Sequence, residues 1–191
     1  MTTFARYEAN GEIAYGIVEG DTIKQITAAP YEDYEVTDQT HALSEVELLA
    51  PSTPTKVVAI GLNYKSHLGD HPGPKVPEPF IKTPSSVIGH EESIVIPRDA
   101  IEDSVVVQPE AELSLVIGKR CKRATRENAL SYVLGYTCGN DFSARDWQSN
   151  DLQWWRAKSS DTFTVLGPVV VTDLDPGNLR LRCRVNGKTV Q

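Results

Sequence analysis

The sequence has no long apolar run. No hydrophobic stretch approaches the ~20 residues that span a bilayer, and the N-terminal MTTFARYEANGEI has no apolar core of a secretory signal. Cysteine is scarce. Cys121, Cys138 and Cys183 are odd in number, far apart and in no Cys-x-x-Cys pair. They read as reduced thiols of a cytoplasmic protein, with buried packing as the plain role of each. A basic excess is also missing: the net charge is −7, which argues against a phosphate backbone as partner. There is no internal repeat, no low-complexity segment and no phosphate-cradling loop, since GLNYKS has the wrong glycine spacing. Membrane and nucleic-acid partners are thereby disfavoured. What remains is a 191-residue chain with 40% hydrophobic and 24% charged residues, ordinary for a soluble globular protein.

Residues 1–50 read as a small β-rich domain. EIAYGIVEGDTIKQI is a strand, a turn at Glu19-Gly20-Asp21 and a second strand. SEVELLA (44–50) has the capping-box pattern of a short helix, with Ser44 as N-cap and Glu47 three residues on. Pro51 and Pro54 mark a linker. A larger unit, 51–191, begins with the strand TKVVAIGLNY. The stretch GDHPGPKVPEP (69–79) holds four prolines and two glycines. It reads as a loop, and as a candidate lid. Short strands are expected near 80–82, 93–96, 105–107 and 110–117, and a helix near 126–131 behind Thr125. The strand YVLGYTCGND ends in Asn-Asp, and SARDWQSNDLQWW reads as helical, followed by a loop. GPVVVT and LRLRCRV read as strands, the second turned back by Asn186-Gly187. Many short strands and few helices make the fold α+β and predominantly β.

The chemistry concentrates in PEAELSLVIGKR. Period-two alternation puts Ala111, Leu113, Leu115 and Ile117 on one face and Glu110, Glu112, Ser114 and Val116 on the other. Glutamates at i and i+2 stand about 7 Å apart on one face and repel. A solvated face would explain them, and so would a cavity holding a cation. Asp141, at the end of an apolar strand, favours the cavity. Three carboxylates at one point stay ionised together only with a counter-charge, and all-oxygen ligation suits Mg2+, Mn2+ or Ca2+. His67 and Asp70 are i and i+3, so one helical turn lets the carboxylate orient the imidazole for acid/base work. An exposed histidine beside a loop is the plainer reading of that spacing. Lys158, among small residues, could neutralise an anionic substrate, but a surface lysine is the plainer reading. Arg145-Asp146 reads as structural, with Gln148 one turn on. Trp154 and Trp155 read as packing.

These segments together resemble the fumarylacetoacetate hydrolase family. GLNYKSHLGD, PFIKTPSSVIGHEESIVIP, PEAELSLVIGKR, ALSYVLGYTCGNDFSARDWQ, AKSSDTF and LGPVVV occur in the family's order and cover residues 57–171. The resemblance implies a mixed β-roll or barrel behind a small variable N-terminal domain, usually as a homodimer. It implies Glu110, Glu112 and Asp141 as metal ligands, with Mg2+ first and Mn2+ or Ca2+ as alternatives. His67 and Asp70 would be an acid/base pair on a lid, with Asp70 where the family usually carries Glu. Lys158 and Gln148 match substrate-contacting positions.

The activity so implied is a metal-dependent hydrolase or isomerase of a 1,3-dicarbonyl or 2-oxo acid. It breaks a C–C bond or moves a proton through a stabilised enolate, as in the breakdown of aromatic compounds. An oxaloacetate-type decarboxylase and an inactive metal-binding protein are the alternatives. Family members continue past VNGKTVQ with a helix, further strands and a Gly-Thr-Pro loop. The catalytic unit is therefore expected to be C-terminally incomplete. The chain alone is expected to be inactive, with an open edge and an apolar patch among Val169, Val171 and Leu181.

Overall fold

Alternating residues broken by glycine-containing turns fold residues 3–42 into an antiparallel meander. In the computed structural model, which describes residues 1–65, 68–70 and 72–191, it comprises β1 (Thr3–Ala9), β2 (Glu12–Glu19), β3 (Thr22–Ile26) and β4 (Val36–Ala42). The β1–β2 turn is Asn10-Gly11, with φ of 53° and 83°. That left-handed backbone gives a two-residue hairpin the twist of its strands. Ala5, Tyr7 and Ile23 form its core. The helix expected over 44–50 is absent. Leu43–Glu45 makes one 3-10 turn without a side-chain cap, and β5 (Glu47–Leu48) pairs with β1. Pairing Leu48 with Tyr7 sends an apolar side chain to that core, which a surface helix would not.

The next hairpin joins β6 (Val57–Gly61) to β7 (Glu78–Lys82). Pro79 fits β7 because a two-stranded ribbon leaves an outer edge that needs no N–H. After β8 (Val87–Ile88), residues 93–96 form no strand, and the backbone N–H of Val95 turns to Thr162 Oγ1. Helix α1 (Arg98–Glu102) and β9 (Val107–Gln108) lead into β10 (Ala111–Ile117) and β11 (Val133–Asp141). Between the last two, the helix expected near 126–131 is a 3-10 turn, Ala129–Tyr132. Thr125 does not cap it; its N–H is itself held by Asn128 Oδ1. Then come β12 (Ser143–Ala144), α2 (Arg145–Asn150) and α3 (Trp155–Ser159). The expected single helix thus breaks at Asp151, whose backbone is extended and whose carboxylate binds Arg156. Lys158 lies on α3, not in a loop.

Strand β13 (Thr164–Val171) joins the two halves of the chain. Among the described residues the main sheet has nine strands, in the order β10-β11-β13-β1-β2-β3-β4, with β5 on β1 and β8 on β13. Trp147, Ala157 and Phe163 pack with Ala100 and Ala144 into a second core beneath α2 and α3. Fully burying Phe163 is worth about 1.5–3 kcal/mol. The Asn186-Gly187 hairpin is present as β14 (Arg184–Val185) and β15 (Lys188–Thr189). The strand expected over LRLRCRV is short because, among the described residues, only Cys183 beyond it finds backbone partners, in Val190 and Gln191. Val169, Val171 and Leu181 are half-buried, so the exposed patch expected there is absent. The Gln191 side chain holds both the N–H and the C=O of Ala111 at the start of β10. Among the described residues no helix is long and apolar enough to cross a membrane. The cysteines are unpaired, with Cys183 buried but Cys121 and Cys138 exposed.

Candidate metal centre and substrate cavity

Strands β10 and β11 supply the acidic cluster. Their register sets Glu112 across from Gly139, and the Asp141 N–H donates to the Glu110 carbonyl at 2.9 Å. Glu110, Glu112 and Asp141 therefore project from one face. Each offers a carboxylate oxygen within 4.8 Å of the others. Gly139 makes the close approach possible, since a Cβ there would stand 2.2 Å from Ser114 Oγ. The usual sidedness of a strand is reversed. Glu110 is buried, while Leu115 and Ile117 are 48% and 56% exposed.

The cluster lines a cavity of about 330 Å³ with Arg145, Gln148, Lys158, Phe80, Tyr64 and Trp154. Helix α3 brings Lys158 Nζ to 2.6 Å from Glu110 Oε2 and 2.8 Å from Asp141 Oδ2. Arg145 opens α2 and reaches Glu110 Oε1 at 2.6 Å. It also donates to Gln148 Oε1 at 3.0 Å. The expectation that Arg145 is only structural is thus corrected, whereas Asp146 does anchor backbone, at the Val106 N–H. Trp154 stacks edge-on against Phe80 at 5.3 Å between ring centroids, and Trp155 is exposed.

Lys82 completes the cluster from behind. It is 2% exposed, and its ammonium donates to Asp141 Oδ1, the Lys158 carbonyl and the Phe163 carbonyl. Sequence reasoning gave it no role, although it ends the strand expected near 80–82. The available signal was parity: Lys82 shares a face of β7 with Phe80, while Ile81 on the other face is 58% exposed.

The electrostatics are uneven. Burial alone would raise the Glu110 carboxyl, but Lys158 and Arg145 outweigh it and hold it below its ordinary value. Burial pushes the Lys82 ammonium down, with Asp141 opposing. Glu112 has no hydrogen-bond donor among the described residues. Burial, then the charges of Asp141 and Glu110, push it up to about 7. The donor set is all carboxylate, and a lysine ammonium already bridges two of its members. Both features fit a hard divalent cation. Asp70 is exposed in a turn and is not part of the cavity lining. His67 lies outside the described residues.

Known proteins share this arrangement of chain. The profile described as fumarylacetoacetate (FAA) hydrolase C-terminal matches residues 56–191. An Rv2993c-like N-terminal profile matches residues 3–51. The mitochondrial oxaloacetate tautomerase fahd2 of Xenopus laevis is 47% identical over 156 residues, which is 78% of this chain and 48% of that protein. The chain thus spans about half of that relative's length. A solved 5-carboxymethyl-2-hydroxymuconate delta-isomerase from Mycobacterium smegmatis superposes with a TM-score of 0.90 at 40% identity, covering 100% of this chain and 74% of that one. A 2-hydroxyhepta-2,4-diene-1,7-dioate isomerase from Mycobacterium marinum gives 0.89 at 36% identity, covering 100% and 74%. These superpositions take in all of this chain and 74% of each of those chains, and they do not by themselves support the expected C-terminal incompleteness of the fold. Nor do they support the expectation that the chain alone is inactive. The mostly β fold and the profile match over residues 56–191 establish that the chain belongs to the fumarylacetoacetate hydrolase family of enzymes, which act on small molecules.

Proposed function

We propose that this protein is a divalent-metal-dependent isomerase that interconverts the keto and enol forms of a 2-oxo dicarboxylic acid, with oxaloacetate the first substrate to test. The observation that carries the reading is one cavity holding both an all-carboxylate cation site and the anion-binding groups Arg145, Lys158 and Gln148. The names of the tautomerase and isomerase relatives support proton movement over C–C cleavage. Glu110, Glu112 and Asp141 would hold Mg2+, or Mn2+ in its place. The ion would supply Lewis-acid polarisation of a carbonyl. Lys158 is assigned to the substrate oxygen that gains negative charge, and Gln148 to substrate orientation. His67, oriented by Asp70, is assigned the proton transfer. Residues 51–191 carry the catalysis, 1–50 form the small domain, and the working unit is a homodimer. Unpaired thiols suit a cytoplasmic location.

The test follows loss of enol absorbance from oxaloacetate by metal-stripped protein and by protein resupplied with Mg2+. Acceleration only with the ion is expected. His67→Ala should lower kcat by about 10²–10⁴-fold with metal affinity unchanged. CO2 release without enol–keto exchange would assign decarboxylation instead, and cleavage of an acylpyruvate would assign hydrolysis. Metal binding without turnover on any of these substrates would leave an inactive metal-binding protein.

A further inference from the structure

The Lys82 ammonium has three N–H donors and three acceptors around it: Asp141 Oδ1 and the carbonyls of Lys158 and Phe163. All three donors are spent, and the side chain is buried, so the ammonium has no freedom to turn away. It sits behind the cavity wall rather than in it. The two oxygens of Asp141 are thus divided. Oδ1 is held from behind by Lys82, and Oδ2 meets Lys158 on the cavity side. Through the Lys158 carbonyl, Lys82 also fixes the end of α3 that carries the Lys158 side chain.

Divalent cations differ in what this division allows. Ca2+ takes six to eight oxygens and accepts both oxygens of one carboxylate, whereas Mg2+ demands a tight octahedron of single oxygens. We infer that Lys82 is a positioning residue that withholds one oxygen of Asp141 from the cation, and so sets the site's preference for Mg2+ or Mn2+ over Ca2+. The inference rests on the metal-site reading above, though not on the choice of reaction. Lys82 touches neither the cavity nor a substrate placed in it, and acts through Asp141 and Lys158.

The experiment is titration calorimetry with Mg2+, Mn2+ and Ca2+ on the whole chain and on Lys82→Met and Lys82→Arg, with thermal melting of each. The wild type should bind Mg2+ more tightly than Ca2+. Lys82→Met, if its melt stays cooperative, should shift the Ca2+ to Mg2+ affinity ratio towards Ca2+ by about 10–100-fold, the usual reach of an outer-shell partner. Lys82→Arg keeps the charge and the donors, and should shift the ratio by far less. A folded Lys82→Met with the wild-type ratio overturns the inference. Should Lys82→Met not fold, the wild type decides: Ca2+ binding as tight as Mg2+ overturns it equally. Failure of the isomerase reading looks different, as absent oxaloacetate turnover with the affinity ratio still moved by Lys82→Met.

Discussion

The two sides of the acidic cluster differ sharply. On one side, Glu110 and Asp141 are buried against Arg145, Lys158 and Lys82, and every one of these charges faces an opposite one. On the other side Glu112 has no ion pair among the described residues, and burial, then the charges of Asp141 and Glu110 working against those of Lys158 and Lys82, push its carboxyl up to about 7. The first side is a prebuilt wall of two carboxylates and three cations, with a formal charge of +1. The second is a carboxylate that none of those three cations contacts in an ion pair. A site that binds a cation has reason to be built this way. Glu112 stands outside the ion pairs and leaves its oxygens open to a cation, whereas three unpaired carboxylates would not stay ionised together.

Breaking the wall should have the largest effect. Asp141→Ala leaves Lys82 buried without its anion, and removing one partner of a buried pair costs about 3–5 kcal/mol. Chemical denaturation should show that loss, while Glu112→Gln in the same assay should show none and relieve repulsion instead. Equal destabilisation by the two would erase the comparison.

The next effect is pH dependence. Glu112 has an ordinary value of 4.5 and a folded value of about 7. The folded state therefore holds this proton more tightly than the unfolded chain between those limits. Its contribution to metal-free stability is fully present below about 4.5 and is lost as pH rises through about 7. Melting of metal-free protein should fall across that window, and Glu112→Gln should flatten the profile.

The smallest effect belongs to Arg145→Lys at the edge of the wall. Arg145 is about one-third exposed at 31%, so its pair with Glu110 is partly screened. A loss of no more than about 1 kcal/mol is expected, with weaker substrate binding because the planar fork is gone. A loss as large as that of Asp141→Ala would show that the wall is not graded from core to rim.

Sequence and structure agree where the determinants are local. Period-two alternation put Glu110 and Glu112 on one face, the end of an apolar strand singled out Asp141, and Asn186-Gly187 marked a hairpin that is present. The resemblance drew attention to Lys158 and Gln148, both of which line the cavity. What was not legible depends on distant contacts. Lys82 meets Asp141 across 59 residues, and no local pattern marks a lysine as buried. Arg145 looked structural because Asp146 beside it is. The capping pattern at Ser44 lost to the chance to pair Glu47 and Leu48 with β1. Helix propensity is a weak prior against a strand that buries an apolar side chain.

The central claim is that a divalent cation binds the carboxylate triad and that Glu112 gives up its proton to receive it. Calorimetric titration with Mg2+ in buffers of different ionisation enthalpy counts that proton directly. At pH 6, one unit below the Glu112 value of about 7, close to one proton should leave per ion bound. At pH 8.5 almost none should leave, and with Glu112→Gln none at either pH. Mg2+ binding with no proton released at pH 6, or no Mg2+ binding at all, would contradict the account.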